Sequence, residues 1–314
     1  MMQNHSRIVE RVLTRLKFKQ LRLLIAVARH RSILHAAREL NVSQPAATKM
    51  IKDLELDFEV RLFERTNRGV VPTIYGETLI RHGKLIFAQV NNAAQELDDL
   101  TEGTSGRIVV GTLLAASSKL LPMAIERTVR DRPQVVIKVV EGTNEVLMPA
   151  LRVGELDMVV GRLPVHRHRE EIEHERLIDD DVALMARAGH PLTGKPTPTM
   201  SDLLAYGWIL PPIETTLRRQ IDQLFSRQGG ASPRSSVESA SYLTNRELLK
   251  NTDLLAVMPR QVAHSSMNRG ALAEINWTST IWQGAVGVSY ARGTTLSPAA
   301  QDFLDALRAV APDV

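Results

Sequence analysis

Residues 36–54 read Ala36-Ala37-Arg38-Glu39-Leu40-Asn41-Val42-Ser43-Gln44-Pro45-Ala46-Ala47-Thr48-Lys49-Met50-Ile51-Lys52-Asp53-Leu54, and this stretch decides how the chain is organised. Ala36, Ala37 and Leu40 share one face of a short helix, and Val42 closes the bend that follows. Asn41 is a residue type that tolerates the left-handed backbone needed just past a helix end. Ser43 is a good N-cap, and Pro45 falls in the first turn, where a missing N–H costs nothing. Ala47, Met50, Ile51 and Leu54 then recur at helical spacing and turn inward, which leaves Gln44, Thr48 and Lys49 facing out. Two amphipathic helices on a tight turn, the second opening with small donor-bearing side chains, form a helix-turn-helix. In that layout one helix props another in the major groove of DNA.

Downstream, Val60-Arg61-Leu62-Phe63-Glu64-Arg65-Thr66-Asn67-Arg68-Gly69-Val70-Val71-Pro72-Thr73 reads as a short basic hairpin with Asn67, Arg68 and Gly69 at the turn. A wing of this kind sets Arg65 and Arg68 where phosphates or a minor groove would lie. The charge distribution agrees. Residues 1–70 hold 14 Lys/Arg and 7 Asp/Glu, a net of +7, whereas residues 71–314 hold 25 and 28, a net of −3. A basic end on a mildly acidic body is the footprint of a phosphate-binding unit joined to something that does not bind nucleic acid.

At 314 residues the chain is long enough for two or three domains. No apolar run approaches a membrane span, and Met1–Leu16, with Arg7, Glu10, Arg11 and Arg15, lacks a secretory h-region. A cytoplasmic location is expected. With no cysteine, disulfides, thiolate metal sites, cysteine nucleophiles and thiol-based peroxide sensing are excluded.

Residues 75–101 are free of proline and carry Leu79, Gly83, Ile86, Val90, Ala93, Leu97 and Leu100 at alternating spacings of four and three, a heptad seam. A helix of that length reaches about 40 Å. Its narrow apolar stripe needs another helix, which predicts a linker helix pairing with its twin in a dimer. Thr101-Glu102-Gly103-Thr104-Ser105-Gly106 then breaks the helix as a hinge. Beyond it, strands are expected at Arg107–Thr112, Val135–Val140, Asp157–Gly161, Asp181–Arg187, Trp208–Leu210, Ser236–Glu238 and Leu254–Val257. Helices are expected near 119–131, 144–153, 201–205, 215–228, 241–250, 259–266 and 298–309. This alternation predicts parallel sheets covered on both faces, and about 210 residues of it suits two small α/β subdomains.

Residues 17–80 resemble the winged helix-turn-helix of LysR-type transcriptional regulators. The match is carried by Leu40-Asn41-Val42-Ser43-Gln44-Pro45-Ala46, by Arg61-Leu62-Phe63-Glu64-Arg65 and by Pro72-Thr73-x-x-Gly76. The resemblance implies an α/β protein with an N-terminal all-α winged helix-turn-helix, a long linker helix and a two-lobed effector domain of the periplasmic-binding-protein type. The implied division is 1–74 for DNA binding, 75–103 for the linker and 104–314 for effector binding. Lobe I would comprise 104–165 plus 281–314, and lobe II 166–280. Double-stranded DNA, a small-molecule effector and a second copy through the linker helix are the implied partners, with assembly as a dimer of dimers and RNA polymerase as a further contact. The implied DNA-binding set is Ser43, Gln44, Pro45, Thr48, Lys49, Lys52, Arg65 and Arg68. Thr48-Lys49 stands where many members carry Ser-Arg, which keeps a hydroxyl and a charge but loses the bidentate fork offered to guanine.

The implied effector cleft lies where loops leave the carboxyl ends of strands and helix N-termini point inward. Its candidate residues are Leu113, Ala116, Ser117, Ser118, Thr143, Asn144, Arg162, Thr215 and Thr216. For Ser117, Ser118 and Thr215, plain helix capping competes with ligand contact. Ala115 stands where some members place a serine or threonine. Glu141-Gly142-Thr143-Asn144 and Leu151–Arg162 look closest to regulators of the protocatechuate pathway and of a galactose-binding protein. The first implies an aromatic-derived carboxylic acid as effector, the second a sugar, and no cofactor beyond it.

The competing reading is a solute-binding protein or an α/β enzyme with an incidental helical N-terminus. It predicts a secretion signal or a catalytic cluster, and the sequence has neither. His166-Arg167-His168, with Glu170 and His174, has a metal-like spacing, but Arg167 and Arg169 flank it and no second cluster completes a shell.

Overall fold

The computed structural model describes residues 10–67, 69–102, 106–164, 171–227, 232–265, 268–277, 284–293 and 295–314. The chain forms two compact units that divide between Ala93 and Ala94. The calls on Arg68, on the hinge residues Gly103, Thr104 and Ser105, and on the 166–170 part of the histidine cluster lie outside the described residues.

In the N-terminal unit, α1 (Phe18–His30) buries Leu21, Leu23, Leu24, Ala26 and Val27. They pack against Ala36 and Ala37 of α2 (Ile33–Glu39) and against Ala47, Ile51 and Leu54 of α3 (Gln44–Phe58). The alanines let the three helices approach closely enough to leave one continuous core. Asn41 takes the left-handed conformation, φ 52°, as its chemistry allows. Ser43 caps α3, its Oγ accepting from Ala46 N at 3.3 Å, with Pro45 in the first turn. The wing is β1 (Phe63–Thr66) paired antiparallel with β2 (Gly69–Pro72). Gly69, φ +103°, packs directly on the Arg31 carbonyl at the end of α1, where a Cβ would collide.

α4 (Ile74–Glu102) is a single helix of 29 residues. Its apolar stripe divides. Leu79 packs into the core of its own unit, and Gly83 sits against Leu21 and Ile25 of α1. Ile86, Val90 and Leu97 are 38%, 47% and 64% exposed and have no such cover in this chain. Among the described residues no helix is long and apolar enough to cross a membrane.

The second unit holds two five-stranded sheets. The first contains β3 (Arg107–Thr112), β4 (Val136–Glu141), β5 (Met158–Arg162), β6 (Ile172–Asp180) and, returning from far along the chain, β12 (Gly284–Ala291), in the order β4-β3-β5-β12-β6. The second contains β7 (Val182–Arg187), β8 (Trp208–Leu210), β9 (Ser235–Glu238), β10 (Leu255–Pro259) and β11 (Leu272–Glu274), in the order β11-β7-β10-β8-β9. The expectation of parallel sheets is corrected. β12 runs antiparallel to β5 and β6, and β7 antiparallel to β10 and β11, so both sheets are mixed. The return strands impose this, because the chain leaves and re-enters the first sheet. A second correction follows. β6, assigned from sequence to lobe II, belongs to the first sheet, so the chain passes to the second sheet at Asp181.

Side-chain alternation covers both faces of each sheet. In the first, Ile108, Val110, Met158, Val160, Val286 and Val288 face α6 (Leu120–Asp131) and α12 (Pro298–Val310), while Val159 packs with Leu147, Met148 and Leu151 of α7 (Asn144–Arg152). In the second, Val182, Leu184, Trp208, Leu210 and Leu255 pack on Ile221, Leu224 and Phe225 of α9 (Thr216–Arg227). Ala183, Met185, Ile209 and Ala256 turn to the opposite face, beside Leu249 of α10 (Tyr242–Asn251). The short helices α5 (Leu114–Ser117), α8 (Met200–Leu204) and α11 (Arg260–Ala263) complete the unit.

Candidate functional site

The start of α3 is a row of exposed side chains on a buried base. Ser43, Gln44, Pro45, Lys49 and Lys52 are exposed, while Ala47, Ile51 and Leu54 on the other side are buried. Thr48, read from sequence as facing out, is half-buried, because it lies on the shoulder between the two faces. Arg65 is exposed on β1. The helix therefore offers amide, hydroxyl and ammonium groups along one side, with a guanidinium on the neighbouring hairpin, a chemistry suited to base edges and phosphates.

Three residues that hold this face together escape a reading by motif alone. Glu55, on the inner shoulder of α3, accepts from Leu62 N at 2.8 Å and Phe63 N at 3.4 Å, binding the helix to the wing. Its spacing three residues after Lys52 mimics an ordinary surface pair, which conceals the role. Thr73 Oγ1 donates to the Arg61 carbonyl at 2.7 Å and accepts from Gly76 N at 3.1 Å, while Thr73 N donates to the Leu62 carbonyl at 3.0 Å. A Cβ on Gly76 would overlap the Leu62 carbonyl oxygen. Pro72-Thr73-x-x-Gly76 is thus the joint between wing and α4.

In the second unit the carboxyl ends of the two sheets face one another. Leu114, just after β3, packs with Met258, Val262 and Ala263 at the end of β10, and α5 lies against α11. The sequence candidates divide along this border. Leu113 N donates to the Val160 carbonyl at 3.0 Å and its side chain lies against Gly161. Ala116 is fully buried in the core of the first sheet, so it has no side chain to offer a ligand. Ser117 Oγ donates to the Leu113 carbonyl at 3.2 Å, and Ser118 is exposed at the end of α5. Thr143 precedes α7 without using its hydroxyl as a cap. Thr215 Oγ1 donates to the Pro212 carbonyl at 2.7 Å and accepts from Arg218 N at 3.3 Å, and Thr216 Oγ1 accepts from Arg219 at 3.0 Å.

Asn144 and Arg162 come together. Asn144 Nδ2 donates to the Arg162 carbonyl at 3.4 Å, and Arg162 Nη2 donates to Asp180 Oδ2 and to the Asp180 carbonyl, both at 3.1 Å. Burial pushes the Asp180 carboxyl up, against the pull of the Arg162 guanidinium. Asp180 was missed from sequence because it ends a strand that did not look like one. Among the described residues no group of three or more His, Cys, Asp or Glu could hold a metal ion.

Residues 18–77 match the bacterial regulatory helix-turn-helix protein, lysR family, and residues 101–312 match the LysR substrate binding domain. The chain belongs to the LysR family. Among its LysR-family relatives, the HTH-type transcriptional regulator GbpR of Azospirillum brasilense is 35% identical over 297 residues, covering 94% of this chain and 86% of the relative. The HTH-type transcriptional regulator PcaQ of Agrobacterium fabrum is 29% identical over 300 residues, covering 96% of each chain. The crystal structure of CbnR, a LysR family transcriptional regulator, matches with a TM-score of 0.64 at 20% identity, covering 94% of this chain and 99% of that one, a likeness of fold. LysR-family membership makes this chain a transcriptional regulator with a DNA-binding helix-turn-helix and a substrate-binding domain.

Proposed function

We propose that this regulator reads a duplex with the exposed edge of α3 and grips its backbone with the wing. It changes its hold on promoters when a small molecule enters between the two sheets. In this reading Gln44 and Thr48 address base edges, Ser43, Lys49 and Lys52 the groove and phosphates, and Arg65 and Arg68 the phosphates beside the wing. Residues 1–74 act as the DNA-binding domain, 75–103 as the linker that pairs two copies, and 104–314 as the effector domain. Two such dimers combine on a promoter, with RNA polymerase as a further partner. The effector is an aromatic-derived carboxylic acid or a sugar held near Thr143, Asn144, Arg162 and Thr215. The protein performs no catalysis and works in the cytoplasm. For an effector to act, it must bind one arrangement of the lobes better than the other.

The observation that carries this reading is the capped start of α3, whose exposed Gln44, Lys49 and Lys52 stand over a buried Ala47-Ile51-Leu54 base beside an exposed Arg65. A salt titration of DNA binding tests it. Arg65→Ala is expected to weaken all duplexes alike and to flatten the dependence of log K on log[salt] by about one ion. Gln44→Ala is expected to relax base preference at a cost of about 1–3 kcal/mol, with the salt slope unchanged. Operator binding untouched by both changes would refute the roles given to α3 and the wing.

A further inference from the structure

The part-buried arginine that follows each of β5, β8 and β10 is engaged by a carboxylate. Arg162 donates to Asp180 at 3.1 Å, the two side chains being 11% and 1% exposed. Arg218, in the first turn of α9, donates through Nε to Asp222 at 3.1 Å and through Nη1 to the Pro211 carbonyl, with Glu238 at 3.6 Å. Arg260 donates to both oxygens of Glu274 at 2.9 Å. The guanidinium groups nearest the cleft are therefore already neutralised and hold no spare charge for an anionic ligand.

The acceptors show the opposite imbalance. Because Asn144 Nδ2 donates to the Arg162 carbonyl, the orientation of its amide is set, and its Oδ1 is buried with no donor. Asn245, on the first turns of α10 after β9, repeats the arrangement. Its Nδ2 donates to the Ser239 carbonyl at 3.3 Å, and its Oδ1 is buried with no donor. Asp180 Oδ1 is a third such oxygen. The hydroxyls that could serve a carboxylate are spent, Ser117 on Leu113 and Thr215 on Pro212. A carboxylate only accepts, so it would add acceptors and a net charge to a site short of donors. A hydroxyl donates as well as accepts.

We infer that the effector is a neutral polyhydroxylated molecule, an aldose or a cyclitol, whose hydroxyl protons go to Asn144 Oδ1 and Asn245 Oδ1. This rests on the cleft reading proposed above and selects between its two ligand classes.

Isothermal titration calorimetry of the full chain tests it. The common aldohexoses and aldopentoses are each measured beside the corresponding aldonic acid, with myo-inositol, protocatechuate and 4-hydroxybenzoate. A neutral compound is expected to bind, and its acid, or the aromatic acids, at least about 100-fold more weakly. Asn144→Leu and Asn245→Leu are each expected to weaken the neutral ligand about 10-fold or more. Should one variant fail to fold by circular dichroism, the other carries the same readout. An acid binding more tightly than its neutral counterpart overturns the class, as does silence across the neutral set. If that acid is weakened by the asparagine variants, the cleft reading survives the loss of the class. Binding of any compound that both folded variants leave unchanged overturns the cleft itself.

Discussion

Gly76 lies where the first turn of α4 passes under the wing, and a single methyl group there would overlap the Leu62 carbonyl oxygen. Gly76→Ala is expected to destabilise the N-terminal unit by about 1–3 kcal/mol in urea unfolding, since backbone rather than a movable side chain must yield. Asp157 provides a second test. Its Oδ2 accepts from Val109 N at 2.7 Å, and burial pushes its carboxyl above the ordinary 3.8. The folded chain then binds that proton more tightly than the unfolded one, so this carboxyl makes stability fall as pH rises through the window just above 3.8. Asp157→Asn keeps an acceptor for Val109 and removes the charge. Urea midpoints of the variant are expected to depend less on pH than those of the parent between about pH 4 and 6, and parallel profiles would contradict the assignment. Residues whose roles are local were legible in sequence. Asn41 at the helix end, Ser43 as cap and Pro45 in the first turn answer to their own backbone. Ser117, Thr215 and Asp180 were not, because a hydroxyl or a carboxylate serves whichever neighbour the fold brings to it.

The helix-turn-helix and α4 show why some elements read clearly. Each has its own period, its own cap and no proline within it. Two strands of the first sheet were illegible for opposite reasons. β6, Ile-Glu-His-Glu-Arg-Leu-Ile-Asp-Asp, is a charged edge strand whose polar side chains swamp the alternation. β12 carries Gly284 and Gly287, which read as turn residues but are demanded by close packing. A Cβ on Gly287 would strike the Glu175 carbonyl at a β-bulge, and one on Gly284 would strike the Arg162 guanidinium. The stripe on α4 was half right as a surface in need of a partner. Its first turns dock on α1, and Ile86, Val90 and Leu97 remain open. If a second copy covers them, Val90→Asp is expected to shift the chain from dimer toward monomer in analytical ultracentrifugation while its circular dichroism stays native. An unchanged mass at low micromolar concentration would place the dimer contact elsewhere.

Over the whole molecule, a net charge of +7 in residues 1–70 and −3 in the remainder separates the part drawn to phosphate from the part that is not. The two units divide between Ala93 and Ala94, with α4 continuous across the boundary. The account requires that a small molecule in one unit and a duplex on the other be coupled, and coupling of binding free energies is reciprocal. The most direct test uses fluorescence anisotropy of the full chain on a duplex selected from a random-sequence pool, with and without the sugar identified by calorimetry. The predicted result is a dissociation constant shifted about 5–150-fold, matched by an equal shift in sugar affinity when the duplex is present. Failure to enrich any duplex at low ionic strength, or affinities for DNA and sugar that ignore one another, would contradict it.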